Sequence, residues 1–255
     1  MSSAGEVIVL GSGTSNGVPS LGIRYHATFL ANPKNHRTRP SILIKGPTGN
    51  LLVDCAPELR LQLLREDIMM VDAVIITHTH ADHVMGMDDL RAFCLLTKRS
   101  MPVYTTPAYQ EDIKRIFKYA FEDEPTGEVP RFDLIDVPDC LETCGLSVKV
   151  MTVMHGPIPV LALRINEFAY VTDVSFIPPE AEAQLQELDV LILDGVRYKP
   201  HPNHYHFDRA LEVAAQIGAK TTYFTHLSHD YDHDVVEKNL PPGVHLAFDG
   251  LRLSI

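Results

Sequence analysis

Thr77-His78-Thr79-His80-Ala81-Asp82-His83 places three imidazoles and a carboxylate within six residues. The run follows directly on Ala73-Val74-Ile75-Ile76, an apolar stretch that reads as a buried strand. Imidazole together with carboxylate suits borderline divalent metals such as zinc, manganese, iron or cobalt. Spacing matters as much as residue type. In extended chain His78 and His80 project to one side of the strand end. If the backbone then turns into a helix, Asp82 and His83 point to a neighbouring volume. The segment thus offers half the ligands for each of two metals. A merely solvated histidine tract is disfavoured, because the run sits at a strand end and not in a tail.

The rest of the chain must be able to build a frame for such a site. With 255 residues and 45% hydrophobic content it can bury a sizeable core. No linker, low-complexity tract or fixed-period repeat interrupts it, so one domain over residues 1–255 is expected. No apolar run approaches the roughly 20 residues of a membrane helix. Met1-Ser2-Ser3-Ala4-Gly5-Glu6 lacks a basic region and an apolar core, so no signal peptide and a cytoplasmic location are expected. Cys55, Cys94, Cys140 and Cys144 form no C-x-x-C pair and read as reduced thiols. The net charge of −11 argues against a nucleic-acid surface, which relies on clustered Lys and Arg.

Patterning supplies the elements. Strands are expected at Val7–Leu10, at Ile42–Lys45 and Leu51–Val53 as a hairpin, and at Val103–Thr105, Phe132–Ile135, Val148–Val153, Val160–Ile165, Phe168–Thr172, Val190–Asp194 and Thr222–Thr225. Helices are expected after Pro57, over Met87–Thr97, from Pro107 to Phe117, near Glu180 to Leu188, and from an Asp208 N-cap to Gly218. Asp249-Gly250 reads as a hairpin turn between His245–Phe248 and Leu251–Ser254. Strands are numerous and do not strictly alternate with helices. An α/β (α+β) chain with two sheets and outer helices fits better than one doubly wound sheet. Gly11-Ser12-Gly13-Thr14-Ser15-Asn16-Gly17 is not a dinucleotide fingerprint: its spacing is G-x-G-x-x-x-G, and no acidic strand end follows about 20 residues on.

The H-x-H-x-D-H run resembles the signature of the metallo-β-lactamase superfamily. That resemblance implies an αββα sandwich and further ligands downstream, each after a strand. Candidates occur in order: His155 after Val148–Val153, Asp173 after Ala169–Thr172, and His226 after Thr222–Thr225. By the family pattern His78, His80 and His155 hold one metal, and Asp82, His83 and His226 a second. Asp173 bridges them, with a bridging hydroxide as nucleophile. Asp54, after Leu51–Val53, matches a family acidic position and is expected to accept a hydrogen bond from a ligand imidazole; capping the helix that follows is a compatible role. Gly11–Pro19, Pro33–Ser41, Thr225–Asp230 and Phe248–Gly250 are similar to one branch, the phosphoribosyl 1,2-cyclic phosphate phosphodiesterases, relatives of the tRNA 3′-processing endonucleases.

One departure is clear. The branch often carries a C-x-C-x-x-C cluster that binds a structural zinc with a C-terminal histidine. Here the corresponding positions are Ile23, Tyr25 and Thr28, and His229 has no sulfur partners. No structural zinc is therefore expected at the N-terminal loop; His26 and His36 with His229 are the alternative grouping. Within His204-Tyr205-His206-Phe207-Asp208, His206 resembles the branch's catalytic histidine, suited to protonate an alkoxide leaving group. The segment also holds His201 and His204, and His204 is the alternative. Lys34, Arg37 and Arg39 form a basic cluster that is either a solvated loop or a contact to substrate phosphate.

The resulting expectation is a dinuclear hydrolase, with zinc or manganese, cleaving a small or cyclic phosphodiester; Asp82 and His206 are its catalytic candidates. A small anionic substrate suits the cationic centre, and a homodimer is possible for such a chain. Lactone or thioester hydrolysis on the same site is the alternative. A tRNA-processing endonuclease is disfavoured by the acidic balance and the lack of a basic inserted arm. A non-enzymatic binding protein is disfavoured by the complete ligand set.

Overall fold

A computed structural model describes residues 5–122 and 128–255; the Met1–Ala4 part of the leader reading lies outside them. One sheet is built from β1 (Glu6–Gly11), β2 (Ser41–Gly46), β3 (Gly49–Val53), β4 (Ala73–Ile75), β5 (Met101–Thr105) and β6 (Phe132–Asp136). The second begins with β7 (Cys140–Thr143), β8 (Leu146–His155), β9 (Ile158–Ile165) and β10 (Phe168–Val171). It continues with β11 (Val190–Asp194), β12 (Thr221–Thr225) and β13 (Val244–Leu246). The last strand, β14 (Arg252–Ser254), returns to the first sheet. The strand orders are β14-β1-β2-β3-β4-β5-β6 and β13-β12-β11-β10-β9-β8-β7.

Period-two patterning decides how these sheets stack. On β1, Val7 and Val9 face the other sheet, in one cluster with Leu163, Phe168, Tyr170 and Ile192. Ile8 and Leu10 face the opposite way, against α2 (Leu59–Arg65). The strands are apolar on both faces because both faces are covered. Outside the first sheet lie α2, α4 (Arg91–Thr97) and α5 (Pro107–Ile116), through Leu59, Phe93 and Ile113. Outside the second lie α6 (Pro179–Glu182), α7 (Phe207–Ile217) and α8 (His233–Glu237), through Ala181, Val213 and Val236. Two short helices, α1 (Ala27–Ala31) and α3 (Ala81–Val84), belong to connections near the site. This is the four-layer αββα arrangement. Among the described residues no helix is long and apolar enough to cross a membrane.

Three local expectations are corrected. Asp249-Gly250 is not a hairpin turn: β13 pairs in parallel with β12, while β14 pairs antiparallel with β1 in the other sheet. The Asp249 carboxylate instead accepts from the backbone and hydroxyls of Ser12 and Thr38, pinning a crossing between sheets. The helix expected near Glu180 to Leu188 is a single turn. The N-cap of α7 is His206, not Asp208, and Gly218 at φ 71° ends it. Helix α1 and strand β7, short and weakly periodic, escape the sequence pattern.

Strands β3–β6 run parallel to one another, as do β10–β13. Chemistry-bearing residues follow their carboxyl ends, where ligands bind in open α/β sheets.

Candidate metal centre

The loop after β4 is set first by Asp54. The backbone N–H of Thr77 donates to Asp54 Oδ1 at 2.8 Å, and the Thr77 hydroxyl donates to the same carboxylate. His78 and His80 follow in extended chain. At His80 (φ −64°, ψ 150°) the backbone enters α3, which carries Asp82 and His83. Thus His78 and His80 stand side by side, ring centroids 4.5 Å apart, and the next two residues turn to adjacent space. Asp54, Asp173 and His226 all hold left-handed backbone, with φ 63°, 50° and 59°. That conformation is costly for residues with a Cβ and clusters at functional sites.

Two groups of donor atoms result. His78, His80, His155 and Asp173 converge, as do Asp82, His83, Asp173 and His226, each group with ligand atoms within 4.8 Å of one another. Asp173 belongs to both. Its oxygens lie 3.3 Å from His83 Nε2 and 3.5 Å from His226 Nε2. A metal test follows from unpartnered atoms. His78 Nε2 and His83 Nε2 are buried without a hydrogen-bond partner, though buried polar atoms are normally paired. The opposite ring nitrogens are contacted, His83 Nδ1 by Asp54 at 2.7 Å and His78 Nδ1 by Thr77 at 3.1 Å, and His155 Nδ1 is held by the Asn203 carbonyl at 2.7 Å. Such bonds fix the tautomer that presents Nε2 to a metal. The donors therefore fit divalent cations.

The electrostatics agree. Burial, with His83 adjacent, drives the His78 imidazole well below its ordinary range, so it stays an unprotonated donor. Burial likewise lowers His155. Asp173 resists its own burial because His226 and His83 hold its carboxyl well below the usual range. Burial opposes charge on His83 too, yet Asp173, Asp54 and Asp82 raise it. That concentration of carboxylates calls for positive charge, which a metal supplies in place of the proton.

A third convergent group, Asp194, His204 and His226, lies alongside. Of the two histidines that the sequence offers for a non-ligand role, His206 and His204, it is His204 whose ring joins this group. The Tyr205 N–H donates to the Val174 carbonyl at 2.7 Å, which seats His204 beside the end of β11. By His206 the chain has already become the N-cap of α7. From sequence, Asp194 reads only as the end of a strand. Its signal, an acid closing an apolar run, is the one that also marks Asp54 and Asp173.

The basic cluster does not face the centre as a unit. Arg37 is buried and donates to the Tyr231 carbonyl at 3.0 Å. Arg39 pairs with Glu58 at 3.2 Å, and Lys34 lies over the Phe248 ring. At the positions of the absent cysteines, Tyr25 packs edge-on against His229, with centroids 6.3 Å apart. His26 bonds to Thr28, and His36 to the Leu30 carbonyl. Two adjoining cavities open at the centre. One of about 340 Å³ is lined by His80, Asp82 and His155. The other, about 370 Å³, is lined by Asn16, Arg197, Lys199 and His229. Ser15, His201, His204 and His226 line both.

Comparison with known proteins agrees with this architecture. Residues 49–227 match the family described as Beta-lactamase superfamily domain. A new diphosphatase from the PhnP family superposes with a TM-score of 0.93 at 36% identity, covering 100% of this chain and 98% of that one. Zn(2+)-bound PqqB from Methylobacterium extorquens shares the fold, with a TM-score of 0.75 at 20% identity over 98% of this chain and 100% of that one. An octanoyltransferase of Porphyromonas gingivalis is 37% identical over 253 residues, 97% of this chain and 51% of that protein. A ribonuclease Z of Methanopyrus kandleri is 30% identical over 147 residues, 56% of this chain and 50% of that protein. The chain spans about half the length of these two curated relatives.

Proposed function

The chain belongs to the β-lactamase superfamily, in a PhnP-like branch, and we propose that it is a two-metal phosphodiesterase acting on a small or cyclic phosphodiester. The carrying observation is Asp173 shared between two His/Asp groups, with the His204–Asp194 pair beside them. His78, His80 and His155 would hold one cation, Asp82, His83 and His226 the other, and Asp173 would touch both. Zinc or manganese suits this donor set. A cation pair supplies an ionised water at neutral pH and offsets charge on phosphoryl oxygens. The chain's own contribution is orientation and proton delivery. Asp54 and Asn203 hold the ligand rings, and the adjoining cavities have room for a small substrate. His204, raised to about 9 because Asp194 outweighs the effect of burial, carries a proton that it can give to the departing oxygen.

The test is a panel of phosphodiesters, phosphomonoesters, lactones and thioesters, assayed with defined metals. Turnover of the diesters well above the other classes supports the reading. Selective turnover of thioesters or lactones would replace it with acyl hydrolysis. That second reading is favoured by the octanoyltransferase relative, whose name concerns acyl transfer; this chain matches about half of that protein. Ribonuclease Z relatives add RNA to the diesters of the panel, although a net charge of −11 speaks against a long polyanion.

A further inference from the structure

His80 differs from its neighbours in how it is held. Asp54 and Asn203 fix the rings of His83 and His155, and Thr77 contacts His78 Nδ1 at 3.1 Å. Among the described residues, nothing hydrogen-bonds a ring nitrogen of His80. Its loop is gripped from behind instead. The hydroxyl of Thr79, between His78 and His80, donates to Asp112 Oδ2 on α5 at 2.8 Å. The other oxygen of Asp112 takes Arg115 of the same helix at 2.5 Å.

The same helix reaches the third ligand. The Tyr109 hydroxyl, one turn before Asp112, donates to the Pro159 carbonyl. Pro159 is paired with Met154 in the β8–β9 hairpin, next to the pair His155–Ile158. Burial, reinforced by Asp112, pushes the Tyr109 phenol up to about 12, so it remains a donor. The helix is itself seated: Ile113 is fully buried, and the Thr106 side chain caps its N-terminus. One rigid element therefore ties the loops of His78, His80 and His155. Among the described residues, none of its side-chain hydrogen bonds reaches Asp82, His83 or His226.

We propose that Asp112 and Tyr109 are positioning residues for the cation group of His78, His80 and His155, and set its affinity separately from that of the neighbouring group. The proposal rests on the two-cation reading. Outer hydrogen-bond partners of ligands are worth roughly 10–100-fold in metal affinity. One hydrogen bond that orients a loop belongs at the lower end of that range.

Chelator-stripped protein titrated with zinc against a chromophoric chelator gives the readout without activity. In Asp112→Ala one binding step should weaken roughly tenfold while the other holds. Asp112→Asn, which keeps an acceptor oxygen, should recover most of the loss. The effect should vanish in a His155→Ala background and persist in His226→Ala. Equal weakening of both steps, no weakening, or an effect surviving in His155→Ala would overturn the proposal. Melting of the metal-free variants reports folding; should Asp112→Ala fail to fold, Tyr109→Phe carries the same expectation. A wild type that takes one cation defeats the two-cation reading. The positioning role then stands or falls on whether Asp112→Ala weakens that one step in His226→Ala.

Discussion

His204 Nδ1 lies 2.6 Å from Asp194 Oδ2, and the same oxygen accepts the backbone N–H of Val174 at 2.9 Å. One carboxylate thus orients the imidazole and anchors the residue that follows Asp173. Asp194→Asn keeps an acceptor for the backbone but removes the charge that holds a proton on His204. It should lower kcat by roughly tenfold or more with metal content intact. Steady-state kinetics beside elemental analysis checks this. Loss of metal in parallel with rate would make Asp194 a support of the cation groups rather than of His204.

The His78–His83 donors were legible from residue type and spacing at a strand end, and the resemblance to the superfamily then pointed to the later donors at strand ends. His78 and His80 emerge from β4, His155 from β8, Asp173 from β10 and His226 from β12. His204 was not separable from His206. Both sit in one loop, and the contact that seats His204 beside β11, Tyr205 with Val174, joins residues far apart in sequence. The two readings of the basic cluster stay open in the sequence for a related reason. Proximity in sequence says nothing of Arg37 turning inward to Tyr231, 194 residues on. Asp249-Gly250 has the residues of a tight hairpin turn, yet capture of Asp249 by Ser12 and Thr38 sends the chain to the other sheet. In each case the contact that sets the local structure joins residues far apart in sequence.

Asp173 is the one donor common to both groups, so its removal should be felt twice. Wild-type protein purified without chelator should carry about two transition-metal ions per chain. Asp173→Ala should lose part of both and fall in activity, whereas His155→Ala should lose one. A mutant that retains two ions would show that Asp173 is no bridge. A reproducible third zinc in the wild type would point to a further site at the loop where Tyr25 meets His229.

Stability should also carry a signature remote from the centre. Burial, with Arg37 and Lys34 nearby, pushes the His233 imidazole down to about 4 from an ordinary 6.5. Above 6.5 the ring is neutral in both folded and unfolded chain, and its contribution is fully present. As pH falls from 6.5 towards 4 the unfolded chain takes up a proton that the folded chain refuses, so stability is lost. At roughly 1.4 kcal/mol for each pH unit crossed, the loss has a ceiling of about 3 kcal/mol, and solvent screening around the ring brings it down to about 1–2 kcal/mol. Urea denaturation in chelator should therefore show a shallower acid dependence for His233→Gln over that window. Parallel curves for the two proteins would rule the effect out.

The leaving group tests the assignment of His204 most directly. An imidazolium that gives its proton to the departing oxygen matters most where that oxygen is a poor leaving group. A nitrophenolate is stable as an anion and scarcely needs the proton; an alkyl or ribosyl alkoxide needs it. His204→Ala should therefore slow alkyl or cyclic ribose phosphodiesters by roughly 10²-fold or more, and a bis(nitrophenyl) ester far less, with metal content unchanged. His206→Ala, altered at the N-cap of α7, should show no such selectivity for leaving-group basicity. Equal defects on both esters in His204→Ala would mean that the ring binds a phosphoryl oxygen instead, since electrostatic stabilisation depends much less on how basic the departing oxygen is. If the selectivity appeared in His206→Ala and not in His204→Ala, the proton donor would be His206 after all, and the loop between β11 and α7 would have to rearrange when substrate binds.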